Sequence, residues 1–163
     1  MFSPALLAQA ERLLADARAK GLKIATAESC TGGLIAGLLT EIPGSSDVFE
    51  RGFVTYSNEA KEDLLGVPTD LIHHHGAVSA EVARSMAEGA LQHSLAQIAV
   101  AVTGIAGPGG GSAEKPVGLV HLAAARTGHD IIAERHVFPG DRDSIRRVSV
   151  ITALTMLASL AER

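Results

Sequence analysis

The chain has 163 residues, of which 47% are hydrophobic and 20% charged, and its formal net charge is −4. These values predict one globular domain over residues 1–163 and exclude a disordered chain. The acidic balance and an aromatic content of 3% argue against a nucleic-acid partner, which requires a basic face and often stacking aromatic rings.

Helices and strands alternate along the chain. Apolar spacing, capping residues and turn residues predict, in order, helix 5–20, strand 22–27, helix 33–41, strand 48–56, helix 58–65, helix 79–93, strand 98–103, loop 104–118, strands 119–126 and 131–138, and helix 144–161. This order predicts an α/β fold, a single three-layer α/β/α domain. The sheet is predicted to be mixed, because the turn 127–130 is too short for a parallel crossover.

The sequence does not decide what the apolar face of the final predicted helix packs against. Its apolar face carries Val148, Ile151, Leu154, Met156 and Leu157. That face could pack in the core or across a homodimer interface.

Three features predict a cytoplasmic location. No apolar run approaches the roughly 20 residues that cross a bilayer, so no membrane partner is expected. The start of the chain lacks a basic region followed by an apolar stretch, so no signal peptide is expected. The single cysteine, Cys30, cannot form an internal disulfide and suits a reducing compartment.

The turn after the first predicted strand is the first candidate for chemistry. It reads Ala27-Glu28-Ser29-Cys30-Thr31-Gly32-Gly33. Backbone N–H groups at a helix start have no intrahelical partner, so those of residues 30–33 could bind an oxyanion while Ser29 acts as a nucleophile. The alternative is a plain helix start with Ser29 or Thr31 as the N-cap, and caps outnumber nucleophiles.

The helix predicted at 58–65 carries a lysine where a capping box would have an acid. If Asn58 is the N-cap, Lys61 takes the third helical position, where Glu or Gln would reach back to the cap. The helix dipole and partial burial would lower the pKa of Lys61 and leave a neutral amine that can act as a base. The alternative is a solvated lysine on a polar face, which spacing alone favours.

A glycine-rich loop follows the most buried predicted strand, beginning at Thr103. Backbone N–H groups at Gly107, Gly109 and Gly110 could hold an anion there. The loop lacks the Gly-Lys-Ser/Thr of a P-loop, and no helix opens directly after its glycines as in the dinucleotide fingerprint. On composition alone, a flexible surface loop is an equal interpretation.

Arg142 precedes the final predicted helix and is a candidate anion ligand. Its guanidinium could bind a phosphate or carboxylate with two hydrogen bonds. Alternatively, Asp141 and Asp143 could pair with Arg142 and cap the helix, which the local pattern slightly favours.

Two further candidates are weaker. The run His73-His74-His75 is interpreted as a solvated loop rather than a metal site, because adjacent residues do not readily face one ion. Cys30 is a rival nucleophile that would need an activating histidine, and none of the 7 histidines can be placed beside it from the sequence.

Three blocks of the sequence resemble the signature blocks of the CinA C-terminal domain family. They are TAESCTGG at 26–33, YSNEAK at 56–61 and TGIAGPGG at 103–110. The resemblance covers essentially the whole chain in the family's order, and three blocks together are far more specific than one. Larger members carry an extra N-terminal domain of the molybdopterin-binding type, and its pyrophosphatase activity is not implied for these residues.

The resemblance implies an amidase that converts nicotinamide mononucleotide to nicotinic acid mononucleotide and ammonia, in pyridine nucleotide salvage. The family's serine nucleophile maps onto Ser29, and its lysine and tyrosine partners map onto Lys61 and Tyr56. Thr103 matches a family hydroxyl near the nucleophile. Substrate contacts are expected from Asn58, Arg142 and the amides of residues 107–111, and the scheme requires no metal or organic cofactor.

Two other function classes stay open. One is a catalytically silent module that binds or senses a nucleotide in the same pocket. The other is a thiol hydrolase centred on Cys30. Saturable binding without ammonia formation would identify the first. Loss of activity on alkylation of the thiol, with Ser29→Ala still active, would identify the second.

Overall fold

The structure, a computed structural model, describes residues 1–163. Its six α-helices are α1 (Pro4–Ala19), α2 (Leu34–Thr40), α3 (Asn58–Leu65), α4 (Thr69–His75), α5 (Ala80–Gln92) and α6 (Arg142–Glu162). Its five strands are β1 (Ile24–Glu28), β2 (Phe49–Val54), β3 (Ile98–Gly104), β4 (Leu119–Arg126) and β5 (Ile132–Val137), and a short 3-10 helix spans Ser45–Asp47. Each predicted strand is present, with small shifts at the ends.

The five strands form one sheet in the order β2-β1-β3-β4-β5. β1 lies parallel to β2 and to β3, whereas β4 runs antiparallel to β3 and to β5. The chain reverses between β4 and β5 through a tight turn, in which the amide of His129 donates to Arg126 O at 3.0 Å. The prediction of an α/β fold with a mixed sheet is confirmed.

Helices cover both faces of this sheet and complete the three predicted layers. α1, α2 and α6 lie on one face, around a core cluster that includes Ile24, Val100 and Leu154. α3, α4 and α5 lie on the other face, around a second cluster that includes Ala101 and Met86. β3 is buried on both sides, as its continuous apolar sequence predicts.

α6 is the core helix of the first face. By its length of 21 residues and its mean hydropathy of 1.3, α6 could also cross a membrane, a feature that the sequence analysis did not identify. In the structure it packs against β3, β4 and α1, and it buries Leu154, Met156 and Leu157. Most of the apolar face therefore packs within the domain, and Ile151 is exposed.

The histidine run lies on a helix, so its interpretation as a loop was wrong. His73, His74 and His75 form the last turn of α4. α4 has seven residues and no side-chain cap at Pro68, so its sequence pattern is too short to recognise. Successive helical residues point about 100° apart, which spreads the three rings. No group of three or more His, Cys, Asp and Glu side chains in the structure could hold a metal ion.

A glycine sets the distance between α3 and α5. A Cβ atom added at Gly89 would lie 2.0 Å from the carbonyl oxygen of Leu65, far inside van der Waals contact. The absence of a side chain therefore lets the end of α3 approach the backbone of α5. This close approach holds α3, the helix that carries Lys61, against α5.

Candidate active site

Ser29 lies directly after β1, at the sheet edge where the carboxyl ends of β1 and β3 meet. Its amide donates to Val102 O at 2.9 Å, which continues the parallel pairing beyond Glu28. Because alternate residues of a strand face opposite sides, Glu28 faces α2 and Ser29 faces α3. Open α/β sheets place their ligand sites at this edge.

A lysine from α3 meets the hydroxyl of Ser29. Lys61 Nζ lies 3.1 Å from Ser29 Oγ, and Lys61 is only 1% exposed. The same nitrogen lies 2.8 Å from Thr55 O and 3.3 Å from Ser57 O. The alternative of a solvated lysine is therefore excluded.

The helix start that positions Lys61 differs from the prediction in its cap. Ser57, rather than Asn58, is the N-cap, and its Oγ accepts from the amide of Ala60 at 3.0 Å. Serine caps a helix as well as asparagine does, and Ser57 has the extended backbone of a cap. Lys61 therefore takes the fourth helical position, from which its side chain turns back to the carbonyls that precede the helix.

Burial lowers the pKa of Lys61 below its ordinary value of 10.5, and the nearby Cys30 thiol acts weakly in the opposite direction. No carboxylate forms an ion pair with the amine. A neutral amine has two N–H donors and one lone pair. With its two N–H groups directed to the carbonyls of Thr55 and Ser57, a neutral Nζ has its lone pair within 3.1 Å of Ser29 Oγ, which is close enough to take the hydroxyl proton.

Glu28 occupies the N-terminus of α2, where the sequence analysis expected Ser29 or Thr31 to cap. Its carboxylate accepts from the amides of Gly33 at 3.0 Å, Ile35 at 3.1 Å and Ala36 at 2.9 Å. The N-cap position itself belongs to Gly33, which has a left-handed φ of 98° and no side chain to contribute. A buried carboxylate thus satisfies the donors that a helix start leaves free.

Because acceptors within the protein already take part of this helix start, the predicted oxyanion site has fewer free amides than expected. The amide of Gly33 donates to Glu28, and the amide of Gly32 donates to Ser29 O at 3.0 Å, so neither is free for a ligand. No backbone or side-chain oxygen accepts from the amides of Cys30 and Thr31. The candidate donors in this turn are therefore reduced from four to these two.

Arg146 of α6 forms hydrogen bonds with two backbone carbonyls of the same turn. Its Nε donates to Cys30 O at 3.1 Å and its Nη2 to Thr31 O at 3.3 Å. The Cys30 side chain is buried, and burial raises the pKa of its thiol to about 11. The thiol is consequently protonated at neutral pH, which makes it a poor nucleophile.

An open pocket of about 290 Å³ lies over Ser29 and Lys61. Most residues predicted to serve the site line this pocket, namely Cys30, Tyr56, Asn58, Thr103, Gly107, Gly109, Gly110 and Arg142. The predicted residues outside its lining are Thr31, Gly32, Gly33 and Gly111. No acceptor in the protein takes the amides of Gly107, Gly109 and Gly110, so the glycine loop offers free donors to a ligand.

Tyr56 and Arg142 meet at the rim of the pocket. Arg142 Nη2 donates to the Tyr56 hydroxyl at 3.2 Å, and Nη1 donates to Gly107 O at 2.9 Å. Tyr56 is 62% exposed, and only its backbone carbonyl approaches Lys61 Nζ, at 3.5 Å. The structure therefore brings the tyrosine hydroxyl to the arginine and not to the lysine.

The two aspartates beside Arg142 have other partners. Asp141 is the N-cap of α6 and accepts from the amide of Ser144 at 2.9 Å. Asp143 pairs with Arg147, one turn along the helix, at 2.7 Å. The guanidinium of Arg142 is therefore not neutralised by either acid, although the prediction that an aspartate caps the helix is confirmed for Asp141.

Thr103 holds the far wall of the pocket. Its hydroxyl donates to Ala77 O at 2.8 Å, and Lys115 Nζ donates to Val78 O at 2.9 Å. Together they fix the segment 76–79 that joins α4 to α5. Ala77 and Val78 line the pocket, and the sequence analysis did not identify them.

Three residues that build the site were missed from the sequence. Glu28 stands within the first signature block, and a charged residue that ends an apolar strand was a signal that could have identified it. Arg146 and Lys115 reach the site from α6 and from the glycine loop, far along the chain. Because they lie far from their partners in the sequence, no local pattern could identify these contacts.

Comparison with known proteins places these features in a family. The model of the CinA C-terminal domain matches residues 7–161. The chain is 52% identical to the nicotinamide-nucleotide amidohydrolase PncC of Escherichia coli strain K12, over 86% of this chain and 85% of that protein. It is 55% identical to a putative competence-damage inducible protein of Caldicellulosiruptor bescii, over 85% of this chain and 33% of that one. The chain spans about a third of the length of this and other curated relatives.

Solved structures agree with the sequence comparison. The competence/damage inducible protein CihA from Agrobacterium tumefaciens superimposes with a TM-score of 0.96 at 54% identity, and 98% of each chain is covered. A CinA superfamily protein from Klebsiella pneumoniae superimposes with a TM-score of 0.91 at 33% identity, covering 96% of this chain and 98% of that one. The fold described above is therefore the fold of these proteins.

Proposed function

We propose, from the premise that this chain belongs to the CinA C-terminal domain family, that it is an amidohydrolase of pyridine nucleotide salvage. Its substrate would be nicotinamide mononucleotide, and its products nicotinic acid mononucleotide and ammonia. The similarity to PncC of Escherichia coli supports this substrate, because the chain covers most of that relative. The observation that carries the chemistry is the 3.1 Å approach of Lys61 Nζ to Ser29 Oγ in a buried setting beneath an open pocket.

The first half of the reaction forms an acyl-enzyme. Lys61, as a neutral amine, takes the proton of the Ser29 hydroxyl while Oγ forms a bond to the carboxamide carbon. The carbonyl oxygen becomes an oxyanion, for which the free amides of Cys30 and Thr31 are the donors. The protonated lysine then gives its proton to the amide nitrogen, the C–N bond breaks, and ammonia leaves.

The second half restores the enzyme. A water molecule gives a proton to Lys61 and attacks the ester carbon, and collapse of the intermediate returns that proton to Ser29 Oγ. The product is a carboxylic acid, so one water is consumed for each ammonia released. Thr103 would contribute by accepting a hydrogen bond from the carboxamide, since its own hydrogen is directed to Ala77 O.

The substrate's phosphate requires further hydrogen-bond donors in the lining of the pocket. Arg142 keeps further N–H groups beyond the two that contact Gly107 and Tyr56, and a guanidinium carries five. The free amides of Gly109 and Gly110 lie in the same lining. Tyr56 then acts by holding Arg142, and Asn58 offers a neutral contact. We also infer one catalytic unit over residues 1–163, working in the cytoplasm.

The test is hydrolysis of nicotinamide mononucleotide by the purified protein, followed by ammonia release and by mass spectrometry of the nucleotide. Wild type and Cys30→Ala are expected to form ammonia and nicotinic acid mononucleotide, and Ser29→Ala is expected to form neither. Full activity of Ser29→Ala, with loss in Cys30→Ala, would assign the reaction to the thiol. Saturable binding of the nucleotide by wild type without ammonia would identify a silent binding module and reject the amidase.

A further inference from the structure

A second cavity lies beyond the wall that Thr103 supports. The register of the sheet sets Thr103 opposite His121 of β4, and His121 opposite Arg135 of β5, in one row. This cavity, a shallow depression of about 330 Å³ that is wide open to solvent, lies at the end of that row and at the N-terminus of α5. Val78 lines both cavities, so the segment 76–79 is the partition between them.

His121 is a buried polar side chain without a partner in this cavity. It is 8% exposed, and its buried ring nitrogen Nδ1 makes no hydrogen bond within the protein. Nearly all buried polar groups in folded proteins are hydrogen-bonded, and an exception calls for an explanation. A bound ligand that accepts a hydrogen bond from the ring would supply one.

The charges around His121 favour an anion as that ligand. Burial lowers the pKa of His121, and the positive charges of Arg135 and Lys115 lower it further, while Glu81 acts weakly in the opposite direction. A cation at this position would meet the same repulsion, whereas an anion would be attracted. Of the other ionisable groups that line the cavity, His75 lies 3.7 Å from Glu81, and Glu114 is exposed.

Donors for an anion are free on two sides of His121. The exposed guanidinium of Arg135 forms no ion pair and no hydrogen bond in the structure, although the neighbouring Glu134 and His136 side chains pair with each other at 2.7 Å. The amides of Ala80 and Glu81, in the first turn of α5, have no acceptor, since the Ser79 cap takes the amide of Val82. A helix of 13 residues adds its dipole to these donors.

We propose that this cavity binds a phosphate group, with the guanidinium of Arg135, the ring of His121 and the first amides of α5 as its donors. The site is separate from the pocket over Ser29 and does not depend on the function proposed for that pocket. Its ligand would touch the partition on the side opposite the substrate. The phosphate could belong to free inorganic phosphate or to a nucleotide, and the experiment below separates the two.

The experiment follows the histidine ring nitrogens by NMR during titration with inorganic phosphate at constant ionic strength. The signal of His121 is assigned by its absence in His121→Phe. We expect a saturable change in this signal in wild type, and an affinity weaker by about tenfold or more in Arg135→Gln, because a charge-assisted pair is lost. Arg12→Gln, an exposed arginine on α1, is the matched control and should bind as wild type does.

Two further arms separate the ligand sources and the two pockets. Nicotinamide mononucleotide, titrated into Ser29→Ala, replaces inorganic phosphate in one arm. If the His121 signal responds to the nucleotide and not to inorganic phosphate, the site is assigned to nucleotides. Arg142→Gln should leave the His121 response to phosphate unchanged. A response that does not saturate, or that is equal in wild type and Arg135→Gln, would reject the site, and loss of the response in Arg142→Gln would place the anion in the first pocket instead.

Discussion

The amine nitrogen of Lys61 lies 3.1 Å from the hydroxyl oxygen of Ser29, and no carboxylate pairs with that amine. Most buried lysines are paired with an acid, which stabilises the charged form. Here the close partners are the serine hydroxyl and backbone carbonyls, so burial is the main influence on its proton affinity. The residue is arranged to lose its proton more readily than an exposed lysine.

Replacing Lys61 with methionine should reduce kcat for amide hydrolysis by about 10²- to 10⁴-fold, because the reaction loses its general base. In wild type, kcat/KM should rise with pH as the amine loses its proton, and this rise should have its midpoint below 10.5. Lys23→Met, which removes a lysine without side-chain hydrogen bonds, is the control and should keep both values. A rate that does not change with pH while Lys61 titrates would contradict the assignment.

The same lysine should make stability depend on pH. Its pKa is lowered in the folded protein, so between that lowered value and 10.5 the unfolded chain binds a proton that the folded chain does not. The free energy of unfolding therefore rises with pH across this window, by at most about 1.4 kcal/mol per pH unit. Urea unfolding of wild type and Lys61→Met, measured from pH 7 upward, should show their difference grow in favour of wild type. Parallel curves would mean that the lysine is not perturbed.

Substituting Glu28 with glutamine should destabilise the fold and slow the reaction. A glutamine has one acceptor oxygen, so its NH₂ group would face at least one of the amides of Gly33, Ile35 and Ala36 as a second donor. We expect a loss of about 1–3 kcal/mol in urea unfolding, with kcat lowered more than KM raised, because the turn that holds Ser29 shifts. Glu11→Gln on the exposed face of α1 is the control. An unchanged unfolding midpoint would show that the carboxylate is dispensable.

Arg142→Gln should weaken substrate binding through the phosphate. A lost charge-assisted hydrogen bond costs about 1.5–3 kcal/mol, so KM for nicotinamide mononucleotide should rise by about 10- to 150-fold, with a smaller effect on kcat. The nucleoside that lacks the phosphate supplies the decisive comparison. Its KM should be the same in wild type and variant, and an equal rise for both substrates would place the effect of Arg142 elsewhere than on the phosphate.

Elements with a strong local pattern were predicted well. β3 is a continuous apolar run and β4 begins and ends where predicted, so the mixed sheet followed from the spacing of strands and turns. α4 was missed because a seven-residue helix without a side-chain cap has no clear periodicity. The predicted N-cap was Asn58, and the observed one is Ser57. Both are good capping residues and they are adjacent, so only the backbone conformation determines which of them caps α3.

The sequence predicted which residues form the site better than it predicted the hydrogen bonds between them. Ser29 and Lys61 were paired through the family resemblance, since 32 residues separate them and no spacing rule joins them. The Gly32 amide donates to Ser29 O and the Gly33 amide to the Glu28 carboxylate, which depends on left-handed backbone at both glycines that the sequence permits but does not impose. The Tyr56–Arg142 contact joins residues 86 apart, so only the folded chain could show it.

β2 is an outer strand of the sheet, and the chain passes from it directly into α3. Outer elements open first when a protein is mildly perturbed, while the buried centre stays intact. Fraying of β2 would carry Lys61 away from Ser29 without melting β1, β3 or β4. The proposed catalysis is thus more easily lost than the scaffold, and a molecule that still looks folded by most spectroscopic criteria can already have lost the contact between Lys61 and Ser29.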